Sequence, residues 1–174
     1  MAAPESFDEY VAARYAALLR TAYLLTSNRH DAEDLVQTAL VKAVPAWKRI
    51  ESNPDGYLRR IMVNHSISRW RKHRGREVLT DQAPDRGSAD PDVGRALALE
   101  RALAALAPRQ RAVIVLRYYD DLTERETAEI LGIAVGTVKS QAREALARLR
   151  QLVPDLRLET DAEVGTMDAW TPRR

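Results

Sequence analysis

The segment from Leu122 to Arg150, LTERETAEILGIAVGTVKSQAREALARLR, narrows the fold most, because several local signals occur in it at fixed offsets. Thr123 and Glu126 have capping-box spacing, in which each side chain satisfies the other residue's free backbone amide and so starts a helix. Gly132 stands where a tight turn needs positive φ, and Ala128 is small where a second helix must come close. Ile133 and Val138 are apolar where two such helices pack, and Leu131 and Leu146 complete a small core. The second helix is expected from about Val135 to Leu152. It exposes Thr137, Lys139, Ser140, Arg143 and Arg148, polar and cationic groups able to reach base edges and phosphates in a major groove. The pattern reads as a helix-turn-helix; the alternative is an ordinary helical hairpin with no nucleic-acid role. Ala134 departs from the pattern, since it occupies the expected N-cap without a side-chain oxygen, a loss of about 1 kcal/mol in typical hosts.

Apolar residues recur at helical spacing elsewhere too, with no sustained alternation, so the chain is expected to be all-α. Ala32, Leu35, Val36, Ala39, Leu40, Ala43, Val44 and Trp47 form one apolar stripe if their segment is helical, with Glu33, Asp34, Gln37, Thr38 and Lys42 opposite. Pro45 is expected to shorten or kink that helix. An earlier helix from Phe7 to about Leu25 turns Tyr10, Val11, Leu18, Leu19, Ala22 and Leu25 toward the same core. A third, from about Pro54 to His73, starts with Tyr57, Leu58 and Ile61 and becomes basic toward its end. Further helices are expected over Val93 to Leu106 and Pro108 to Tyr119, with Asp90 and Pro91 resembling an N-cap followed by a first-turn proline.

The basic residues are segregated. Arg59 to Arg76 contains seven Lys or Arg and no acid, whereas Glu77 to Gly94 holds five acids against one Arg. The acidic stretch is rich in Gly, Pro, Ser and Asp and lacks apolar periodicity, as a flexible linker does. Two small helical domains follow, over 5–75 and 95–153, joined by a linker at 76–94 and followed by a tail at 154–174. The tail is read as disordered, with Trp170 a candidate anchor for a self-inhibitory or partner contact. Absence of cysteine excludes disulfides, thiolate metal sites and cysteine nucleophiles. His30, His65 and His73 have no metal spacing and no phosphate-binding glycine loop occurs, so neither an enzyme nor a cofactor is expected. With no bilayer-length apolar run and no signal-like N-terminus, a cytoplasmic protein without membrane insertion is expected.

Taken in order, these segments resemble the extracytoplasmic-function (ECF) sigma factors, within them the actinobacterial SigE-like subfamily, over nearly all of residues 5 to 153. The resemblance rests on the DAEDLVQ run Asp31 to Gln37, on Tyr57, Leu58, Arg59, Arg60, Ile61 and Asn64, and on VGTVKS at Val135 to Ser140. It makes the first domain a sigma region 2 helical bundle and the second a sigma region 4 helix-turn-helix. It assigns Asp31, Asp34 and Gln37 to the clamp helices of the largest subunit of core RNA polymerase, places the second domain at the flap of the second-largest subunit, and admits an anti-sigma partner. It also implies that the loop Trp47 to Gly56 captures a base flipped from the minus-ten element and that the following helix contacts the adjacent promoter DNA. Asn64 is the strongest candidate there, with Arg59, Arg60, Arg69, Arg71, Lys72 and Arg74 as cationic contacts to the backbone. Trp47 and Trp70 are expected in the core rather than stacked on bases.

For the second domain, the resemblance places Lys139 and Ser140 in the major groove of the minus-35 element, beside Thr137 and Arg143, with Arg117 on a phosphate. Glu144 stands where relatives can carry a basic residue, which weakens a contact there. The implied function is promoter recognition, melting and transcription initiation within a polymerase holoenzyme. The alternative is a helix-turn-helix regulator that forms no holoenzyme, which leaves the basic first domain unexplained.

Overall fold

The computed structural model describes residues 6–50, 52–73 and 91–154, and every element among them is helical. Most of the expected linker, Arg74, and all but Pro154 of the expected tail, including Trp170, lie outside the described residues.

Helix α1 (Phe7–Thr26) starts where the Ser6 hydroxyl accepts the Glu9 amide, and stops at Ser27 in the left-handed conformation at φ 57°. Asn28 then caps α2 (Arg29–Ala43) by accepting the Asp31 amide at 3.0 Å. Helix α2 buries Ala32, Leu35, Val36, Ala39, Leu40 and Ala43 against α1 and α4. The expected stripe fails at its end, because Val44 is 55% exposed. Pro45 has no amide to continue the α ladder, so the chain tightens into a 3₁₀ turn at Val44–Ala46 and turns Val44 off the buried face. A short helix α3 (Trp47–Ile50) follows, with the Trp47 ring packed edge-on against Phe7 at 5.1 Å, in keeping with a structural role. Helix α4 (Pro54–His73) places Leu58, Met62 and Val63 in the core.

The second half begins with α5 (Pro91–Ala104), so the end of the expected linker forms the first turn of a helix. Helix α6 (Pro108–Ile114) was expected to run to Tyr119; instead the last five of those residues, Val115–Tyr119, form a wide π turn. That turn alters the phase of the chain before Asp120, and Asp121 takes a left-handed conformation at φ 53°. Helix α7 (Glu124–Leu131) opens with the expected capping box and closes on Gly132 at φ 64°. Helix α8 (Val135–Leu152) starts at Ala134 with no side-chain cap. Val113, Ala128, Val138 and Ala142 form the core of the helix-turn-helix, with Leu131 and Ile133 packed on it.

The two halves pack on one another, a contact that the sequence did not foreshadow. Buried residues of α1, α2 and α4 join those of α5, α6 and the π turn in one continuous apolar cluster. Around it lies a ring of polar contacts. The Thr21 hydroxyl and the Arg59 Nε both donate to the Asp120 carboxylate, at 2.9 and 2.8 Å. Arg20 donates to the Tyr119 hydroxyl and Tyr23 to Glu100. Arg111 reaches across to the Leu25 carbonyl at 3.1 Å while also holding the Ala104 carbonyl at 2.6 Å, so one guanidinium joins the C-terminal ends of α1 and α5.

Candidate functional site

Three surfaces carry the residues singled out by sequence. On α2, Asp34 and Gln37 are exposed on the face away from the core. Asp34 lies 3.8 Å from His30 one turn earlier and keeps a 59% exposed side chain. Asp31 differs from Asp34, because its carboxylate accepts Arg69 Nη2 at 2.6 Å and both side chains are partly covered. An acid assigned to polymerase and a cation assigned to DNA are thus partners, which fixes α4 against α2. Val41, 69% exposed, adds an apolar side chain on α2.

Along α4, Arg60, Asn64, Ser68 and Arg71 are all exposed, and their spacing sets them on one helical stripe, with Lys72 at its edge. This is a surface of cations around one amide, able to hold a phosphate backbone and pair with a base edge. Trp70 is 42% exposed, which corrects its expected place in the core: it lies near the end of α4, where the next two residues, Arg71 and Lys72, are exposed as well. Arg59 does not share the stripe. Its side chain is 16% exposed and sits between Asp120 and Asp55. Arg60 is exposed, yet its Nη2 donates to the Glu129 carbonyl at 2.8 Å.

On α8, Thr137, Lys139 and Arg143 are exposed and Ser140 is half-buried, its hydroxyl donating to the Thr137 carbonyl. Lys139 stands 3.5 Å from Glu124 of α7, the first helix of the pair. Arg143, Lys139, Arg117 and Arg150 line a cavity of about 350 Å³ with Tyr118 and Glu124. Arg117 points inward enough for Nη1 to donate to the Leu122 carbonyl at 2.6 Å, tying down the turn before α7. Glu144 accepts Gln110 Nε2 at 3.2 Å and so serves packing between α6 and α8.

Sequence reasoning missed the groups that bind these surfaces together. Burial pushes the Asp120 carboxyl above the usual carboxylate range, with Arg59 and Thr21 pulling it back. Burial also pushes Arg111 down to about 10, and its buried Nε has no acceptor among the described residues. Asp55 accepts Tyr10 and Arg14. Each partner is distant in sequence, so no local spacing could have flagged it. Among the described residues no cluster of three or more His, Asp or Glu side chains is placed to hold a metal, and no helix is long and apolar enough to cross a membrane.

Comparison with known proteins agrees with this division. Residues 10–76 match the model described as sigma-70 region 2, and residues 96–149 match sigma-70, region 4. The RNA polymerase sigma-E factor of Streptomyces avermitilis is 45% identical over 150 residues, covering 83% of each chain. The ECF RNA polymerase sigma factor SigM of Mycobacterium tuberculosis is 33% identical over 154 residues, covering 85% of this chain and 77% of that one. Among solved structures, the sigma factor RpoE in complex with the anti-sigma factor NepR from Bartonella quintana aligns with a TM-score of 0.65 at 31% identity, covering 87% of this chain and 98% of that one.

Proposed function

Since the chain belongs to the sigma-70 family as an extracytoplasmic-function sigma factor, we propose that its two domains each hold one promoter element while the first is docked to core RNA polymerase. The observation that carries this reading is the separation of three exposed surfaces on two helical units: acid and amide on α2, cations around Asn64 on α4, and cations on α8. Asp34 and Gln37 meet the clamp helices, with Asp31 positioned by Arg69. Asn64 reads the unpaired minus-ten strand while Arg60, Arg71 and Lys72 hold its backbone, and Arg69, Arg59 and Arg74 flank them. Lys139, Ser140, Thr137 and Arg143 enter the major groove of the minus-35 element, with Arg117 on the neighbouring phosphate. No covalent step belongs to the chain itself. Strand opening is favoured because the first domain binds the opened state, a shift of equilibrium driven by differential affinity. The first domain spans 5–75 and the second runs from the start of α5 at Pro91 to 153; the second meets the polymerase flap, the chain works in the cytoplasm, and an anti-sigma factor is a further partner in the manner of the RpoE–NepR pair.

The test is copurification with core polymerase followed by promoter-specific run-off transcription. Asp34→Ala is expected to lower holoenzyme assembly. Lys139→Ala or Arg143→Ala should weaken promoter use with assembly intact. DNA binding by the full chain with no association to core at low ionic strength would instead identify a regulator acting from outside the polymerase.

A further inference from the structure

The angle between α7 and α8 holds an acid on a surface that has to accept a polyanion. The cavity there has Arg117, Lys139, Arg143 and Arg150 on its wall, and Glu124 is the one acid that lines it among the described residues. A carboxylate so placed repels phosphate and offsets part of a cation's charge, so it weakens binding to DNA of any sequence. Glu124 Oε2 lies 3.5 Å from Lys139 Nζ, and the acid is the more enclosed partner, its side chain 31% exposed against 58% for the lysine. The backbone leading into Glu124 is pinned twice. Arg117 Nη1 donates to the Leu122 carbonyl, and the Glu126 carboxylate accepts the Thr123 amide in the capping box. Glu124 therefore leaves a fixed turn, whereas Lys139 carries its charge on a flexible four-carbon stem.

From this arrangement we infer that Glu124 is a positioning residue for Lys139, one that directs the ammonium away from phosphate and onto the edge of a guanine. An ammonium has three N–H donors. With one directed at Glu124, two are left to reach acceptors outside the protein, and guanine presents two neighbouring acceptors, O6 and N7, in the major groove. A lysine without such a restraint takes the nearest phosphate, a contact that carries no sequence information. The acid thus lowers affinity for every sequence and widens the difference between the right one and the wrong ones, and specificity is that difference. The inference rests on α8 entering the major groove of the minus-35 element.

The experiment uses holoenzyme assembled from core polymerase and the full chain, with a duplex library randomised over the minus-35 element of a promoter that it transcribes. Sequencing the bound duplexes gives the base preference at each pair. Lys139→Ala is expected to erase a guanine preference at one or two pairs. Glu124→Gln, which leaves the Thr123–Glu126 cap of α7 in place, should lower the preference at those same pairs by about tenfold and spare the others. On a duplex with a scrambled minus-35 element it should bind more tightly than wild type. The log–log salt slope should steepen there by about 0.9, the value of one added phosphate contact. Adding Glu124→Gln to Lys139→Ala should change no preference further. Glu129→Gln removes an exposed acid of α7 that does not line the cavity, and should leave every preference as it was. An unchanged guanine preference in Glu124→Gln, an equal loss in Glu129→Gln, or a further loss in the double variant overturns the positioning role and leaves the placement of α8 standing. No loss at any pair in Lys139→Ala overturns both the inference and the base contact assigned to Lys139.

Discussion

Asp55 is half-buried where α1 meets the start of α4, and its carboxylate accepts the Tyr10 hydroxyl and the Arg14 guanidinium. Burial alone would push this carboxyl up, but the hydrogen bonds from Tyr10 and Arg14 and the attraction of Arg14 and Arg59 outweigh it, so it lies below the ordinary range. The sign of its pH dependence follows. Above an unfolded value of about 3.9 the stabilisation is complete; it declines as pH falls below that value and is lost once pH passes the lowered folded one. Asp55→Asn should therefore cost stability near neutrality, and the gap from wild type in urea unfolding should close in acid. A gap independent of pH would remove the carboxylate charge from the account. Capping makes a second residue-scale case. The Thr123 hydroxyl accepts the Glu126 amide at 3.2 Å while Glu126 accepts the Thr123 amide at 2.7 Å, whereas α8 starts from a bare Ala134. Thr123→Ala should lower unfolding free energy by about 1 kcal/mol and Ala134→Ser should raise it by a similar amount. Equal midpoints for all three proteins would show that helix ends contribute nothing here.

Two glycines in the helix-turn-helix test the elements themselves. Gly132 and Gly136 both have open space where a side chain would begin, so packing cannot distinguish them and backbone conformation must. Gly132 ends α7 at φ 64°, where a Cβ costs about 1–2 kcal/mol; Gly136 lies in the first turn of α8, where alanine is better than glycine by about 0.5–1 kcal/mol. Gly132→Ala should lower the thermal midpoint and Gly136→Ala should raise it, and a common sign would refute the conformational explanation. This pair of helices was legible from sequence because its signals are local: a capping box, a left-handed glycine and apolar residues within a single turn. The end of α2 was partly legible, since Pro45 foretold the interruption but not that Val44 would rotate outward. The π turn at Val115–Tyr119 was not legible at all. Its five residues are as apolar and helix-compatible as those before them, and the register shift becomes favourable through tertiary partners, among them Arg20 on the Tyr119 hydroxyl.

At the scale of the whole molecule, the division into two helical units could be read from composition, because an acidic, Pro- and Gly-rich stretch separates two apolar-periodic regions. Their packing could not, because Thr21 and Asp120 are 99 positions apart and Arg59 and Asp120 are 61 apart, with nothing local to mark either pair. Promoter spacing offers a test at this scale. The backbone between α4 and α5, residues 74–90, can span roughly 60 Å at most, so chain length alone leaves considerable latitude in where the second domain binds. Polymerase removes that latitude if it seats both domains. Inserting about 5 base pairs between the two promoter elements turns one of them to the opposite face of the duplex, while about 10 restore the face and add roughly 34 Å of separation. A second domain held only by its tether would recover the longer-spaced site, because the face is restored and the added distance lies within its reach. Domains fixed on the polymerase cannot follow either change, so run-off transcription should fall at least about tenfold for both insertions, the loss of about 1.4 kcal/mol of simultaneous binding. Recovery at the longer spacing would mean that the second domain finds its element independently of the polymerase.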